Sequence, residues 1–302
     1  MAATNETSSP QRNRGWYQED LIEVNEPIRK LLEDYSKVPH AEVFKHVNGI
    51  VRLCQCFTPT GKKLADSCTL QRERGFEANP YPCIGLYRFT ILTLLTHPSY
   101  ASITSRLKAT EDASYLDVGC CFGRDLRQLV LDGVPSQRLT GLDVAGPLMN
   151  LGYDLFLDQS TLRSRFVVAD VFKGPNQGQV WTELEAQGGF DVIHCSAFFH
   201  LFTLDEQIAA AKQLSRLVKK GGIIIGRQIG SVKPGDVPAI KEKSVSYRHN
   251  AETFAAMWQQ IGEATATRWK VEGTLDMVGI NPNLPVEDAN SRRFLFTVTR
   301  RE

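Results

Sequence analysis

Apolar residues along this 302-residue chain fall into two rhythms. Short, nearly unbroken apolar runs occur at Tyr115–Asp117, Leu139–Leu142, Phe166–Ala169, Phe190–Cys195 and Gly222–Gly226. Runs of this length and continuity predict strands buried on both faces. Between them, apolar positions recur at helical spacing over Leu148 to Leu157, Trp181 to Ala186 and Asp205 to Val218. Two more strands are predicted near the end, at Thr267 to Met277 and Arg293 to Thr299. A helix starting near Asn250 precedes them, with Phe254, Met257, Trp258 and Ile261 on one face. Strands alternating with helices predict an α/β fold, a parallel sheet covered on both sides.

Residues 15–112 lack that alternation. Pro27–Tyr35 reads as a helix with proline in its first turn, and Val38–Cys56 as a second. The polar stretch Thr58–Asn79 reads as a loop with partial helix. From Tyr81 onward an apolar helix is expected to reach Leu95, and Tyr100–Leu107 forms another. The pattern divides the chain into a polar, disordered tail (1–14), a helical cap that shapes a substrate pocket (15–112) and a sheet-bearing core (113–302). The cap is not expected to fold alone.

Bulk chemistry narrows the function. Hydrophobic content of 42% and charged content of 23% are those of a soluble globular chain. Thirty-five basic residues nearly balance 34 acidic ones, for a net charge of +1, so no basic field for nucleic acid is expected. No apolar run approaches the ~18 residues of a membrane span, and the start lacks a signal-peptide core. Seven cysteines, two of them adjacent, read as reduced thiols, and the expected location is cytoplasmic. Cys54, Cys56 and Cys68 show no zinc-type spacing.

The most telling segment is Tyr115-Leu-Asp-Val-Gly-Cys-Cys-Phe-Gly-Arg-Asp-Leu126. A strand enters a turn framed by Gly119 and Gly123, and a helix follows. Such a unit presents backbone N–H groups and a helix N-terminus to a ligand. Asp143 lies twenty-four residues after Gly119, at the end of the second strand, a spacing suited to ribose hydroxyls. The dinucleotide fingerprint Gly-x-Gly-x-x-Gly is missing, and Asp117 ahead of the turn would repel a pyrophosphate. An acid there suits a cation or an ammonium group. A nicotinamide dehydrogenase is therefore disfavoured.

The loop resembles the first motif of class I S-adenosylmethionine-dependent methyltransferases, commonly Asp/Glu-x-Gly-x-Gly-x-Gly, with Cys121 in place of the middle glycine. A narrower resemblance rests on Tyr81-Pro-Cys-Ile-Gly85, Leu116–Gly123, Gly152-Tyr-Asp-Leu-Phe156, Phe198-Phe-His-Leu-Phe202 and Gly226-Arg-Gln228. These blocks are similar to those of fungal secondary-metabolite O-methyltransferases of the meroterpenoid type, some of which esterify carboxylates. The resemblance spans roughly residues 16–300. It implies a Rossmann-like seven-stranded class I methyltransferase sheet with an N-terminal helical cap, S-adenosyl-L-methionine as cofactor, and a small-molecule acceptor.

In that frame the cofactor-binding candidates are Tyr17, Asp117, Gly119, Cys120, Cys121, Gly123, Asp143, Val144, Asp170, Val171 and Ser196. Asp117 is expected at the methionine ammonium, Asp143 at the ribose, and Asp170 at the adenine amino group with Val171 against the ring. Each acid has a plainer alternative, as a turn or cap residue at a strand end. Tyr81, Phe199, His200 and Arg227 are the substrate-binding candidates, and Tyr17 and Tyr81 could equally be packing residues. His200, Arg227 and Gln228 are the catalytic candidates, whereas His194, inside a strand, reads as structural.

A carboxylate acceptor is already ionised and needs a cation or donors to orient it, whereas a phenol needs a base. Arg227, one glycine after three isoleucines, suits a carboxylate clamp, or else a salt bridge to Asp191 or Asp236. His200 among phenylalanines suits a base or a donor, or else a packed histidine. No metal is expected, because Gly226-Arg-Gln228 is no Asp/Asn ligand cluster. Phenol, nitrogen or carbon methylation and a catalytically idle protein of the same fold are the other readings. No nucleic-acid or membrane partner is expected, and self-association into a homodimer stays open.

Overall fold

The computed structural model describes residues 21–53, 82–174, 179–239, 244–280 and 287–302. Ahead of the first strand lie α1 (Glu26–Asp34), α2 (His40–Leu53), the single turn α3 (Pro82–Gly85) and α4 (Tyr100–Ala109). Asn25 caps α1 by accepting the Ile28 N–H, and Pro27 sits in its first turn. The apolar helix expected to reach Leu95 does not form. Beyond α3 the chain makes a 3-10 turn at Arg88–Thr90 and then irregular turns. Phe89, Leu92 and Leu94 are still buried there. Asp125 accepts the Thr93 hydroxyl (3.0 Å) and the Leu94 N–H (3.1 Å), so tertiary bonds take the place of helical ones.

From there strands and helices alternate. The order is β1 (Tyr115–Val118), α5 (Arg124–Leu131), β2 (Leu139–Asp143), α6 (Gly146–Phe156), β3 (Arg165–Val168), α7 (Gln179–Ala186), β4 (Phe190–His194), α8 (Leu204–Ser215) and β5 (Val218–Ser231). A hairpin of β6 (Gly235–Pro238) and β7 (Val245–Arg248) follows, then α9 (Ala251–Thr265), β8 (Trp269–Asp276) and β9 (Ser291–Arg300). The main sheet has seven strands in the order β3-β2-β1-β4-β5-β9-β8. Strands β1 to β5 pair in parallel, and β9 runs antiparallel to both β5 and β8. This α/β architecture is the seven-stranded order that the resemblance implied.

Burial explains the patterning. β1 and β4, in the middle, are buried at every residue, whereas edge strand β8 alternates exposed and half-buried positions. One face of the sheet packs Trp181, Leu184, Ala210, Leu214, Phe254 and Trp258 from α7, α8 and α9. The other packs Ile103, Leu107, Leu126 and Leu129 from α4 and α5. Ile28, Leu31 and Val43 of the leading helices join Phe122, Leu151 and Leu155 of the core in one cluster, so cap and core share their packing. Among the described residues no helix is long and apolar enough to cross a membrane.

The β6–β7 hairpin is an addition that the periodicity did not announce. Only Ser246 and Arg248 of β7 are buried, a pattern too short to stand out. The Tyr247 N–H donates to the Phe202 carbonyl (2.9 Å), tying the hairpin to the loop after β4.

Arg127 in α5 is fully buried. Its Nε and Nη2 donate to the two oxygens of Asp158 (2.8 and 3.0 Å). Its Nη1 donates to the carbonyls of Phe122 (2.8 Å) and Gly123 (3.2 Å) in the turn after β1. The rings of Tyr153, Phe156 and Phe166 lie 4.9–5.4 Å from the guanidinium carbon. The Tyr35 hydroxyl at the end of α1 donates to Asp158 (2.8 Å). Removing one partner leaves a buried unpaired charge, which costs about 3–5 kcal/mol. Asp158→Ala is expected to lower unfolding stability by that order in urea melts; a loss below about 1 kcal/mol would contradict the account.

Candidate active site

The turn between β1 and α5 takes left-handed backbone at three places: Gly119 (φ 74°), Cys121 (φ 54°) and Gly123 (φ 66°). Cys121 thus adopts the conformation that the missing glycine would have supplied, at a cost of order 1–3 kcal/mol. A charged acceptor offsets it, because the Cys121 N–H donates to Asp143 Oδ2 (2.8 Å). The other oxygen of Asp143 accepts the Ala145 N–H (2.8 Å). Burial pushes the Asp143 carboxyl above its usual range, while the Ala145 and Cys121 amides pull the other way. The Val144 N–H bonds the carboxylate as well, which leaves part of its acceptor capacity for a ligand. Asp143 therefore shapes the turn as well as facing what the turn would hold. Cys120 and Cys121 are buried, and burial, then Asp117 and Asp143, push the Cys120 thiol well up. It is an inert packing group.

Parallel register places Asp117 of β1 beside His194 of β4. Asp117 Oδ1 lies 3.0 Å from His194 Nδ1, and His194 Nε2 lies 2.6 Å from Ser196 Oγ. Burial opposes charge on His194, yet Asp117 and then Asp125 outweigh it and raise its pKa. His194, expected as a structural strand residue, links the acid before the turn to the loop after β4. Asp117, Asp125 and His194 each bring one potential metal-ligand atom within 4.8 Å of the others. Asp117 and His194 hydrogen-bond to each other, whereas the two oxygens of Asp125 are held by the Thr93 hydroxyl and the Leu94 N–H.

Beyond the ends of β2 and β3, Val144 and Val168 are exposed and Phe172 partly so. These apolar surfaces flank Asp170, whose Oδ1 accepts the Phe172 N–H (3.0 Å) and whose Oδ2 lies 3.9 Å from Lys173 Nζ. Val171 was expected against an adenine ring, but it is buried within the core. The apolar surface next to Asp170 belongs to Phe172, which meets Phe202 edge-on at 4.9 Å.

The strand expected to close near Gly226 runs on to Ser231, so Arg227 and Gln228 lie inside β5 and part company there, because successive side chains on a strand face opposite ways. Gly226 allows a close approach to β4, since a Cβ there would lie 2.3 Å from the Cys195 carbonyl oxygen. That approach lets the Arg227 N–H reach Ser196 Oγ (3.3 Å) and the Ala197 N–H reach the Arg227 carbonyl (2.7 Å). Arg227 shares the sheet face of Asp117 and His194. Gln228 points to the other face and is buried, its amide nitrogen and oxygen without partners among the described residues. It is not a partner for Arg227 at one ligand. Phe199 is fully buried against Phe198, Phe254 and Phe296, so it offers no surface to a substrate. Tyr17 and Tyr81 lie outside the described residues.

The electrostatics around Arg227 are cationic. Asp191, one expected partner, pairs instead with Arg106 (2.6 Å) and Lys219 (2.8 Å). Among the described residues neither Asp236 nor any other carboxylate forms an ion pair with Arg227. Burial and then Arg88, Arg293 and Arg124 bring its pKa down to about 10, so it stays charged at neutral pH. His200 is held well below the usual imidazole range by burial, then by Arg248, Arg227 and Arg88. Its Nδ1 is buried without a partner among the described residues. Arg88 pairs with the buried Glu287 (2.7 Å), and Arg293 with Asp276 (2.6 Å). Sequence reading missed Arg88 and Arg248. They come from three different parts of the fold once Arg227 is included, and no local pattern links them.

Comparison with known proteins agrees with this geometry. Residues 116–222 match the profile of a methyltransferase domain, and residues 16–54 that of the meroterpenoid methyltransferase N-terminal domain. The O-methyltransferase phiE of a fungal species is 37% identical over 259 residues, covering 85% of this chain and 78% of that protein. The O-methyltransferase atr3 of Stereocaulon alpinum is 33% identical, covering 89% and 71%. The asnovolin E/chermesin D methyltransferase nvfJ of Aspergillus novofumigatus is 35% identical, covering 83% and 82%.

Asp143→Ala removes two charge-assisted bonds to the turn and an acceptor for the ligand. S-adenosylmethionine affinity is expected to fall by about 100-fold or more in calorimetric titration, with the far-UV spectrum unchanged. Unchanged affinity would remove Asp143 from the cofactor site.

Proposed function

The chain belongs to the S-adenosylmethionine-dependent methyltransferases that include the fungal meroterpenoid enzymes, and from that premise we propose that it esterifies the carboxylate of a small organic acid in secondary metabolism. The observation that carries this reading is Arg227: a half-buried guanidinium on the cleft side of the sheet, with no ion-pair partner among the described residues. The acids that act on it, Glu287 and Asp276, are paired with Arg88 and Arg293, so a partly desolvated cation is left that an anionic ligand would stabilise. A planar guanidinium fits a carboxylate bidentately.

The residues at the strand ends fit S-adenosylmethionine. Asp143 has lone pairs left for the ribose hydroxyls. Asp170, with Val144, Val168 and Phe172 around it, suits an adenine ring and its amino group. Asp117 brings negative charge near the methionine ammonium, while His194 holds one of its oxygens. Gly119, Cys121 and Gly123 let the backbone approach. When bound, the cofactor supplies an electrophilic methyl group on sulfonium.

The chain's own task is alignment and exclusion of water, worth on the order of 7–11 kcal/mol in favourable cases. Arg227 holds the acid with one oxygen forward, and the carboxylate, ionised at neutral pH, needs no base. His200 fits a hydrogen-bonding role better than a basic one, because its low pKa makes it a weak proton acceptor. The same arginines that depress it favour an anionic acceptor.

Arg227→Leu is expected to lower kcat/KM for carboxylic acids at least about tenfold, chiefly through KM, with S-adenosylmethionine affinity within about twofold. Arg227→Lys should retain part of the loss as a point charge without the fork. Normal turnover of acids by Arg227→Leu would overturn the clamp.

A further inference from the structure

Asp117, His194 and Ser196 form a chain that neither the cofactor assignment nor the arginine clamp uses in full. We propose that Ser196 is a second anchor for the acceptor's carboxylate, its hydroxyl hydrogen turned into the cleft by His194 and Asp117 behind it. The proposal rests on the carboxylate reading above and sharpens it.

The argument is a count of lone pairs. A serine hydroxyl has one hydrogen to donate and two lone pairs. One lone pair of Ser196 Oγ receives the Arg227 backbone N–H at 3.3 Å. His194 Nε2 sits 2.6 Å away. Its other nitrogen faces the Asp117 carboxylate at 3.0 Å, so Nδ1 carries a hydrogen. When Nε2 is protonated as well, it donates to the second lone pair of Ser196. The hydroxyl hydrogen then has no acceptor among these neighbours and points outward from a half-buried residue at the cleft. When Nε2 is bare, it draws that hydrogen back and Ser196 ceases to donate.

The groups around His194 raise its pKa above the ordinary imidazole value, which widens the pH range in which both nitrogens carry hydrogen. Asp117 on β1 and Asp125 on α5 are anionic and close. Arg124 on α5 and burial oppose them, and the net result is a raised pKa. His97, in the turns before α4, is driven down to about 4 by burial and brings no competing charge at neutral pH. The Tyr115 ring on β1 stacks at 6.2 Å and is uncharged, as burial pushes its hydroxyl well up. The Cys195 thiol, also pushed up by burial, is neutral. A donating Ser196 beside a cationic Arg227 is a two-point site for one oxyanion.

The same three residue types build the nucleophilic relay of serine hydrolases. That use is disfavoured here: the neighbouring Ala197 N–H, the natural oxyanion donor, is spent on the Arg227 carbonyl at 2.7 Å.

The test measures benzoate affinity of the S-adenosylhomocysteine-loaded enzyme by titration calorimetry, with label transfer to a panel of aromatic and dicarboxylic acids in parallel. Ser196→Ala is expected to weaken benzoate and raise the acid KM about tenfold, with S-adenosylmethionine affinity within about twofold. Ser196→Thr keeps a hydroxyl and should restore most of the loss, which a purely structural role would not require. For the wild type, benzoate affinity should fall as pH is raised beyond the ordinary imidazole value of ~6.5 into the range where His194 loses its proton. His194→Gln does not titrate and should abolish that decline.

Three results overturn the proposal: Ser196→Ala that leaves both benzoate affinity and acid KM unchanged, a loss confined to S-adenosylmethionine affinity, or a wild-type pH profile that Ser196→Ala does not alter. Failure of the wild type to bind benzoate at all overturns it as well. Wild-type products that are only alkali-stable ethers or amines sink the carboxylate reading itself. Ester products with an indifferent Ser196→Ala sink only the serine's part.

Discussion

The structure depends on one buried cation. Arg127 carries its charge into a fully dry setting and divides its donors between Asp158 and the carbonyls of Phe122 and Gly123. Those carbonyls belong to the turn that would receive the cofactor. Asp158 in turn accepts Tyr35 from the first helix, and three aromatic rings surround the guanidinium. Cap, sheet and turn are thus joined at one ion pair. A lysine could satisfy neither the bidentate carboxylate nor the two carbonyls at once.

The turn itself is strained and needs that support. Cys121 stands in a left-handed conformation that favours glycine, and its N–H is held by Asp143. A side chain expected to serve a ligand thereby also serves the backbone. The same economy recurs at the centre of the sheet. Register alone sets Asp117 beside His194, and the tight contact permitted by Gly226 brings Ser196 and Arg227 together. The chemistry of the cleft follows from strand pairing rather than from any loop that reaches in from afar.

Much of this was legible in the sequence. Continuous apolar runs marked β1 to β5 because both faces of those strands are covered. Asn250 and the Phe254–Ile261 face marked α9. The Gly119–Gly123 pair marked the tight turn after β1, to which Asp143 is hydrogen-bonded. Other features were invisible for physical reasons. The Pro82–Leu95 stretch is apolar without helical periodicity deciding its form, and Asp125 supplies the bonds that settle it. Val171 and Phe199 sit in site-bearing motifs yet face the core, because the turn after β3 and the 3-10 turn after β4 aim them inward, which the linear order does not announce. Arg127 drew no notice in the sequence, yet α5 is buried on nearly all sides. A net charge of +1 concealed the arginines gathered around Arg227, since the acids that pair with two of them, Glu287 and Asp276, lie far away in sequence or on another strand.

The central claim is methylation of a carboxylate under the hold of Arg227. The most direct measurement is transfer of a labelled methyl group from S-adenosylmethionine to a panel of aromatic and dicarboxylic acids and phenols, followed by mild alkaline hydrolysis. The account predicts label released as methanol from acid acceptors, the mark of an ester. Label that survives alkali on the phenols, with the acids untouched, would contradict it.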